Sequence, residues 1–276
     1  MIALHEIVRQ YPKELQKSVF YDQMVKEYFH HFMLRSLFAS KHSGTINFLG
    51  GSALRYFYDI KRFSEDLDFD CIHLTKALFV EMTTQVAKDL QSLGYDVFTE
   101  DKKKHEDLKA FRRIFVFPEL KYKLGLSQQK EAKFFIKIEA EPHHFAYRPE
   151  IKMLNGFGIT VPVKTVPLKI LFSSKIFAAV NRKKDRDFFD VVNLINFATV
   201  DFAYLEKKCH IRNSEQLKEA LLNAALERKL KTRKTYDCEH MLFNKSDIHK
   251  IRLFTEYIEN FDFSRFNIPV DPGSLR

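Results

Sequence analysis

The chain has 276 residues, 45% hydrophobic and 29% charged, which is enough to bury one large core or two ordinary ones and excludes a disordered or low-complexity polymer. No apolar run reaches the roughly 18 residues of a membrane span, and Glu6, Arg9, Lys13 and Glu14 interrupt any signal-peptide pattern, so a cytoplasmic protein with no membrane partner is expected. Three widely spaced cysteines (Cys71, Cys209, Cys238) exclude a disulfide framework, while a net charge of +9 points to polyanionic partners, RNA above all, against the plainer explanation of solubility.

With only 8 Gly and 8 Pro, long helices and few long loops are expected. A short lead-in over residues 1–17 breaks at Pro12. Helical spacing of Val19, Phe20, Met24, Val25, Tyr28, Phe29, Phe32, Met33 and Leu37 predicts a long helix over Ser18–Ser40 with a broad apolar face. Ile46–Leu49 reads as a short buried strand. Gly50-Gly51-Ser52 then opens a two-turn helix over Ser52–Tyr58. The unpaired N–H groups at a helix start, with the helix dipole, make an anion site suited to phosphate. Arg62 and Ser64 sit in the following turn. Asp66, Asp68 and Asp70 then alternate with Leu67, Phe69 and Cys71, which predicts a strand over Asp68–Cys71 whose carboxylates share one face.

Thr75 caps a helix over Thr75–Leu93, which Gly94 stops. Tyr95–Thr99 is expected as a strand, Glu100–Asp107 as a charged loop, and Phe111–Phe117 as a strand carrying Arg112 and Arg113. Phe134–Glu141 is another strand, and Ile159–Val163 a third short one weakened by Pro162. Beyond Val166-Pro167 the chain reads as helices over Leu168–Asn181, Asp185–Phe197, Phe202–His210, Ser214–Leu230 and Ser246–Asn260. The fold class is therefore α+β (α/β): a mixed sheet flanked by helices over residues 1–165, then a helical domain over 166–276 expected to pack on it and close a cleft. Basic clusters lie at Lys102–Lys104, Arg182–Lys184 and Arg228–Lys234.

Carboxylates crowded on one face repel one another and need nearby positive charge, most simply a divalent metal. Metal beside phosphate suggests phosphoryl or nucleotidyl chemistry. Glu139 would complete the acidic face if its strand lies beside the Asp strand, with Glu141 the competing choice and an ordinary solvent-facing surface the bland explanation. Lys175 falls inside the apolar stripe of Leu168, Leu171, Phe172, Ile176 and Ala179, where lysine is rarely buried without a reason. It either snorkels to solvent or reaches the cleft as a phosphate-binding point charge. Asp185 and Asp187 suit a helix first turn, but Asp190 lies deeper. The histidines lack zinc-site spacing, no hydrolase elbow surrounds Ser52 or Ser64, and an EF-hand starting at Asp66 fails because Cys71 and Ala77 stand where Gly and Glu are required.

Together these residues resemble the nucleotidyltransferase family of AbiEii/AbiGii-type toxins, within the DNA polymerase β-like superfamily. The superfamily pattern of Gly-Ser followed by Asp-x-Asp is met by Gly51-Ser52 and Asp66-Leu67-Asp68. The fuller family pattern is met by Gly50-Gly51-Ser52-Ala53-Leu54-Arg55 and Arg62-Phe63-Ser64-Glu65-Asp66-Leu67-Asp68. Ile170 with Lys175, and Arg186-Asp187-Phe188-Phe189-Asp190 with Leu194, match the later motifs, although Ile176 replaces an acidic residue often found there. The resemblance implies that Asp66 and Asp68 bind Mg²⁺ or Mn²⁺ bridging a nucleoside triphosphate (NTP). It further implies that Gly51 and Ser52, with Arg62 and Ser64, hold phosphate, that Lys175 contacts the nucleotide, and that Asp190 orients Lys175 or the acceptor. A third carboxylate is usual, with Glu139 assigned to it. It implies a toxin of a toxin–antitoxin or abortive-infection system, with a cognate antitoxin as partner and RNA, tRNA above all, as acceptor. The alternatives are a small-molecule, antibiotic-type nucleotidyltransferase and a non-catalytic nucleotide- or RNA-binding module. A glycosyltransferase also uses Asp-x-Asp but needs no preceding Gly-Gly-Ser helix.

Overall fold

A computed structural model describes residues 2–101 and 110–267, and the chain divides into two units, Met1–Val166 and Pro167–Arg276. The Lys102–Lys104 cluster and the part of the charged loop from 102 to 107 lie outside the described residues. The first unit runs α1 (Leu4–Val8), α2 (Tyr21–Ala39), β1 (Ile46–Leu49), α3 (Gly50–Tyr58), β2 (Asp66–Cys71), α4 (Lys76–Ser92), β3 (Phe98–Asp101), β4 (Phe111–Val116), α5 (Leu120–Lys123), β5 (Phe135–Glu141), β6 (Glu150–Gly156) and β7 (Ile159–Thr165). Its strands form a mixed sheet in the order β3-β4-β5-β2-β1-β7-β6. β2 pairs antiparallel with β1 and parallel with β5, so the acidic strand lies at the centre of the sheet.

The core explains the pattern. All four residues of β1 are buried, and Leu67 and Phe69 of β2 point inward. Met24, Val25, Met33 and Leu34 of α2 are fully buried, and α2 packs against β7 and α4. Unlike a simple amphipathic helix, α2 also buries Gln23, Glu27, His30 and His31. Buried polar groups are tolerated mainly when hydrogen-bonded, and Glu27, His30 and His31 have partners. Tyr11 donates to Glu27 at 2.8 Å and Arg55 Nε donates to it at 2.9 Å. His30 lies 2.7 Å from the Tyr56 hydroxyl and 3.2 Å from the Glu65 carbonyl. The carbonyl only accepts, so His30 Nε2 carries the proton and Nδ1 receives the Tyr56 hydroxyl. Through these bonds α2 holds both α3 and the residue just before Asp66.

Burial, with nearby positive charge, pushes His30 down to about 3, and burial pushes His31 down to about 4. The unfolded chain therefore binds more protons than the folded one below the ordinary histidine value. Stability is fully present above about pH 6.5 and is lost as pH falls towards the folded values. Urea denaturation should show a loss of roughly 2 kcal/mol or more between pH 6.5 and 4.5, and His30→Gln should flatten that slope. An unchanged slope in the variant would contradict the assignment.

Two expected strands differ from what is observed. The strand expected at Tyr95–Thr99 begins only at Phe98. Tyr95 is instead a buried core residue whose hydroxyl meets that of Tyr28 at 2.8 Å, so its aromatic character reflects packing rather than strand pairing. The strand at Ile159–Val163 extends to Thr165 and pairs with the unanticipated β6, Met153 facing Pro162. Phe157 and Gly158 at the hairpin tip both have positive φ, a primed-turn geometry usually signalled by Asn-Gly rather than Phe-Gly.

The second unit runs α6 (Leu168–Asn181), α7 (Asp185–Leu194), α8 (Phe202–Cys209), α9 (Ser214–Arg228), α10 (Ile248–Arg252) and α11 (Phe254–Asn260). α6 packs on α7, α8 and α9, and α9 on α11. The single helix expected over Ser246–Asn260 is two, divided at Leu253, whose backbone leaves the helical region. Asp185, fully buried, is gripped by Arg228 at 2.7 Å and by the Asp237 amide at 2.8 Å, and Lys183 pairs with Glu227 at 2.9 Å. Part of the basic character at 182–184 and 228–234 is thus used inside this unit. Among the described residues no helix is long and apolar enough to cross a membrane.

Candidate active site

β1 runs into α3 without a loop, and the junction is Gly50. Its φ of +84° is a conformation glycine adopts freely. A Cβ there would lie 2.6 Å from Asp68 Oδ2. Gly51 is equally confined: a Cβ would meet Ser64 Oγ at 2.7 Å and Arg62 Nη2 at 2.8 Å. The separated halves of the motif thus touch, and glycine is what lets them. Gly50→Ala should cost about 1–3 kcal/mol through positive-φ strain and the shift it forces on Asp68, read by thermal denaturation.

Ser52 is fully buried, and its hydroxyl donates to the Asp66 carbonyl at 2.5 Å, fastening α3 to β2. Arg62 is buried too, with Nη1 donating to the Phe63 carbonyl at 2.9 Å. Asp66 and Asp68 stay partly exposed, whereas Asp70 is buried. Asp70 accepts the His143 amide at 2.8 Å and the Tyr147 hydroxyl, and so anchors the segment after β5.

The parallel β2–β5 register sets Asp66 opposite Lys137 and Asp68 opposite Glu139, and β4 adds Arg112 opposite Glu139. Lys137 Nζ lies 3.1 Å from Asp66 and 3.2 Å from Glu139, and Arg112 Nε donates to Glu139 at 2.7 Å. Burial alone would raise the Glu139 carboxyl, but Arg112 and Lys137 outweigh it and hold the group below the ordinary carboxylate value. Burial likewise disfavours the Lys137 charge, yet Asp66 and Glu139 raise its pKa. No sequence motif marks Lys137 or Arg112. Alternation does place Lys137 on the Glu139 face, but its pairing with Asp66 depends on a register that one strand's sequence does not reveal. Glu141 faces the buried Asp70.

No group of three or more Asp, Glu, His or Cys side chains among the described residues forms a ready-made metal cage. The donor chemistry of Asp66 and Asp68 nonetheless fits a hard divalent cation, since Mg²⁺ and Mn²⁺ take carboxylate oxygens. Both residues stand on one strand face beside the start of α3.

In the helical unit Lys175 is buried, its ammonium 2.9 Å from Asp190 and 3.8 Å from Asp187. Arg182 grips Asp187 through two bonds of 2.8 and 2.7 Å. The lysine in the apolar stripe is therefore an ion-paired core residue, and Asp190, fully buried, fixes its position.

Comparison with solved structures finds the same fold in other proteins. MenT4, a nucleotidyltransferase toxin from Mycobacterium tuberculosis, is similar with a TM-score of 0.60 and 14% identity, covering 96% of this chain and 93% of its own. A putative nucleotidyltransferase from Helicobacter pylori gives 0.53 and 17%, covering 88% and 96%. JHP933 from Helicobacter pylori gives 0.52 and 15%, covering 89% and 93%. At such identities the likeness is one of fold. No curated protein matches. The family described as "Nucleotidyl transferase AbiEii toxin, Type IV TA system" matches residues 31–262.

Proposed function

The chain belongs to the AbiEii nucleotidyl transferase toxin family and is a nucleotidyltransferase, and from that premise we propose that it moves a nucleoside monophosphate from an NTP to a hydroxyl of RNA, tRNA above all. The observation that carries this reading is the contact of Gly50 with Asp68, which sets the phosphate-favouring start of α3 directly against the acidic face of β2. The backbone amides of Gly51 and Ser52 receive phosphate, and Arg62 and Ser64, packed on Gly51, keep that turn rigid. Asp66 and Asp68 hold Mg²⁺ or Mn²⁺, and Glu139 is the third carboxylate of the face. The bound ion supplies charge neutralisation of the triphosphate and a more acidic acceptor hydroxyl. The acceptor hydroxyl gives up its proton to solvent as its oxygen bonds to the α-phosphorus, the bond from that phosphorus to the α–β bridging oxygen breaks, and pyrophosphate leaves with the electron pair. The motif resemblance assigns Lys175 to the nucleotide and Asp190 to its orientation, and the ion pair of 2.9 Å between them supports the second of these roles.

A net charge of +9 supports a polyanionic acceptor. The toxin family supports a cognate antitoxin as the regulating partner. The test offers each of the four α-labelled NTPs, with Mg²⁺ or Mn²⁺, to total RNA and to small hydroxyl-bearing acceptors. Label in RNA of tRNA size is the expected result. Label confined to small acceptors would overturn the RNA assignment, and nucleotide binding without transfer would overturn turnover itself.

A further inference from the structure

Five ionisable side chains share one partly exposed face of β2, β5 and β4. Asp68, Glu139 and Arg112 form one cross-strand row, and Asp66 and Lys137 lie in the next. Three carboxylates and two cations sum to −1, so the protein's own side chains already offset most of the repulsion that crowded carboxylates create. The two cations are held differently. Arg112 donates to Glu139 from the neighbouring strand, at 2.7 Å. Lys137 stands between Asp66 and Glu139, at 3.1 and 3.2 Å, bridging two carboxylates as an external cation would. An ammonium is a compact point charge on a flexible stem, able to swing aside without breaking a bidentate fork. The Lys137 side chain retains 26% exposure, which leaves it a route to solvent.

On the reading that Asp66 and Asp68 bind a divalent cation, we propose that Lys137 is an exchangeable internal cation. Its ammonium bridges Asp66 and Glu139 in the metal-free protein, and divalent cation binding releases it. Lys137 therefore competes with metal and weakens metal affinity, while keeping the acidic face folded when no metal is bound. Arg112 stays on Glu139 throughout, because its contact does not involve Asp66.

The test is Mn²⁺ binding to the full chain without nucleotide, read from the resonance signal of free Mn²⁺. Lys137→Met should bind Mn²⁺ about tenfold or more tightly than the wild type, since a unit charge beside the ligands has been removed. Lys137→Arg keeps the charge and should stay within about threefold of wild type. In chelator Lys137→Met should melt earlier than wild type, and Mn²⁺ should restore it. Lys137→Gln serves as the second neutral variant if the Met variant does not fold. Equal or weaker Mn²⁺ binding by the neutral variants would overturn the competition. Asp68→Asn separates the two levels. Binding that needs Asp68 but is not tightened in Lys137→Met contradicts only the role of Lys137. Binding indifferent to Asp68, or no Mn²⁺ binding by any form, contradicts the metal site and the competition together.

Discussion

Replacing both Asp66 and Asp68 with asparagine is expected to lower nucleotide transfer by about a thousandfold or more, because the substitution keeps shape but removes the charge that positions metal and triphosphate. The same double variant should unfold almost where the wild type does. Leu67 and Phe69, the inward residues of β2, are untouched, and the carboxylates are partly exposed. The ion pair from Lys137 to Asp66 is partly solvated, so losing it costs about 1 kcal/mol at most. Initial rates of transfer and urea denaturation, run on the same preparation, check the separation. A variant that lost activity only in proportion to unfolding would show these residues to be structural.

Asp190→Ala should behave in the opposite way. Lys175 and Asp190 are both buried, with side-chain exposures of 7% and 0%, and truncating the acid leaves an ammonium in the core of the helical unit. Asp187, 3.8 Å away, is already gripped by Arg182 and offers little replacement. Breaking one side of a buried pair typically costs about 3–5 kcal/mol. Urea denaturation should show a loss of that size in the transition of the second unit. Lys175→Met combined with Asp190→Leu removes both charges and should recover much of the stability, but not transfer. A loss below about 1 kcal/mol for Asp190→Ala would mean that Lys175 finds another partner or reaches water.

The contrast between these two sites marks what was legible in the sequence. The Gly50-Gly51-Ser52 turn, the alternation from Asp66 to Cys71 and the stripe around Lys175 are local patterns, and each produced its expected element. The helical character beyond Pro167 was equally plain, because Gly and Pro are scarce there and apolar residues recur at helical spacing. What stayed hidden depends on residues far apart in the chain. Ser52 and Arg62 belong to the motif, but no motif shows that their side-chain bonds fasten α3 and the following turn to backbone carbonyls. Asp70 shares the acidic alternation, and only the Tyr147 and His143 contacts reveal it as an anchor. The pairing of Lys137 with Asp66 exists because β5 lies parallel to β2 in one register. Strand β6 was missed because its turn places Phe157 at positive φ, against the usual residue preference.

We propose that this chain transfers the nucleotidyl rather than the phosphoryl group, from the acidic face of β2. The most direct measurement incubates the protein with acceptor RNA and one NTP labelled in turn at the α- and γ-phosphate. The α-label should enter RNA, the γ-label should appear only in pyrophosphate, and neither should move with the Asp66→Asn, Asp68→Asn protein. Incorporation of the γ-label into RNA, or α-label transfer that persists in the double variant, would contradict the account.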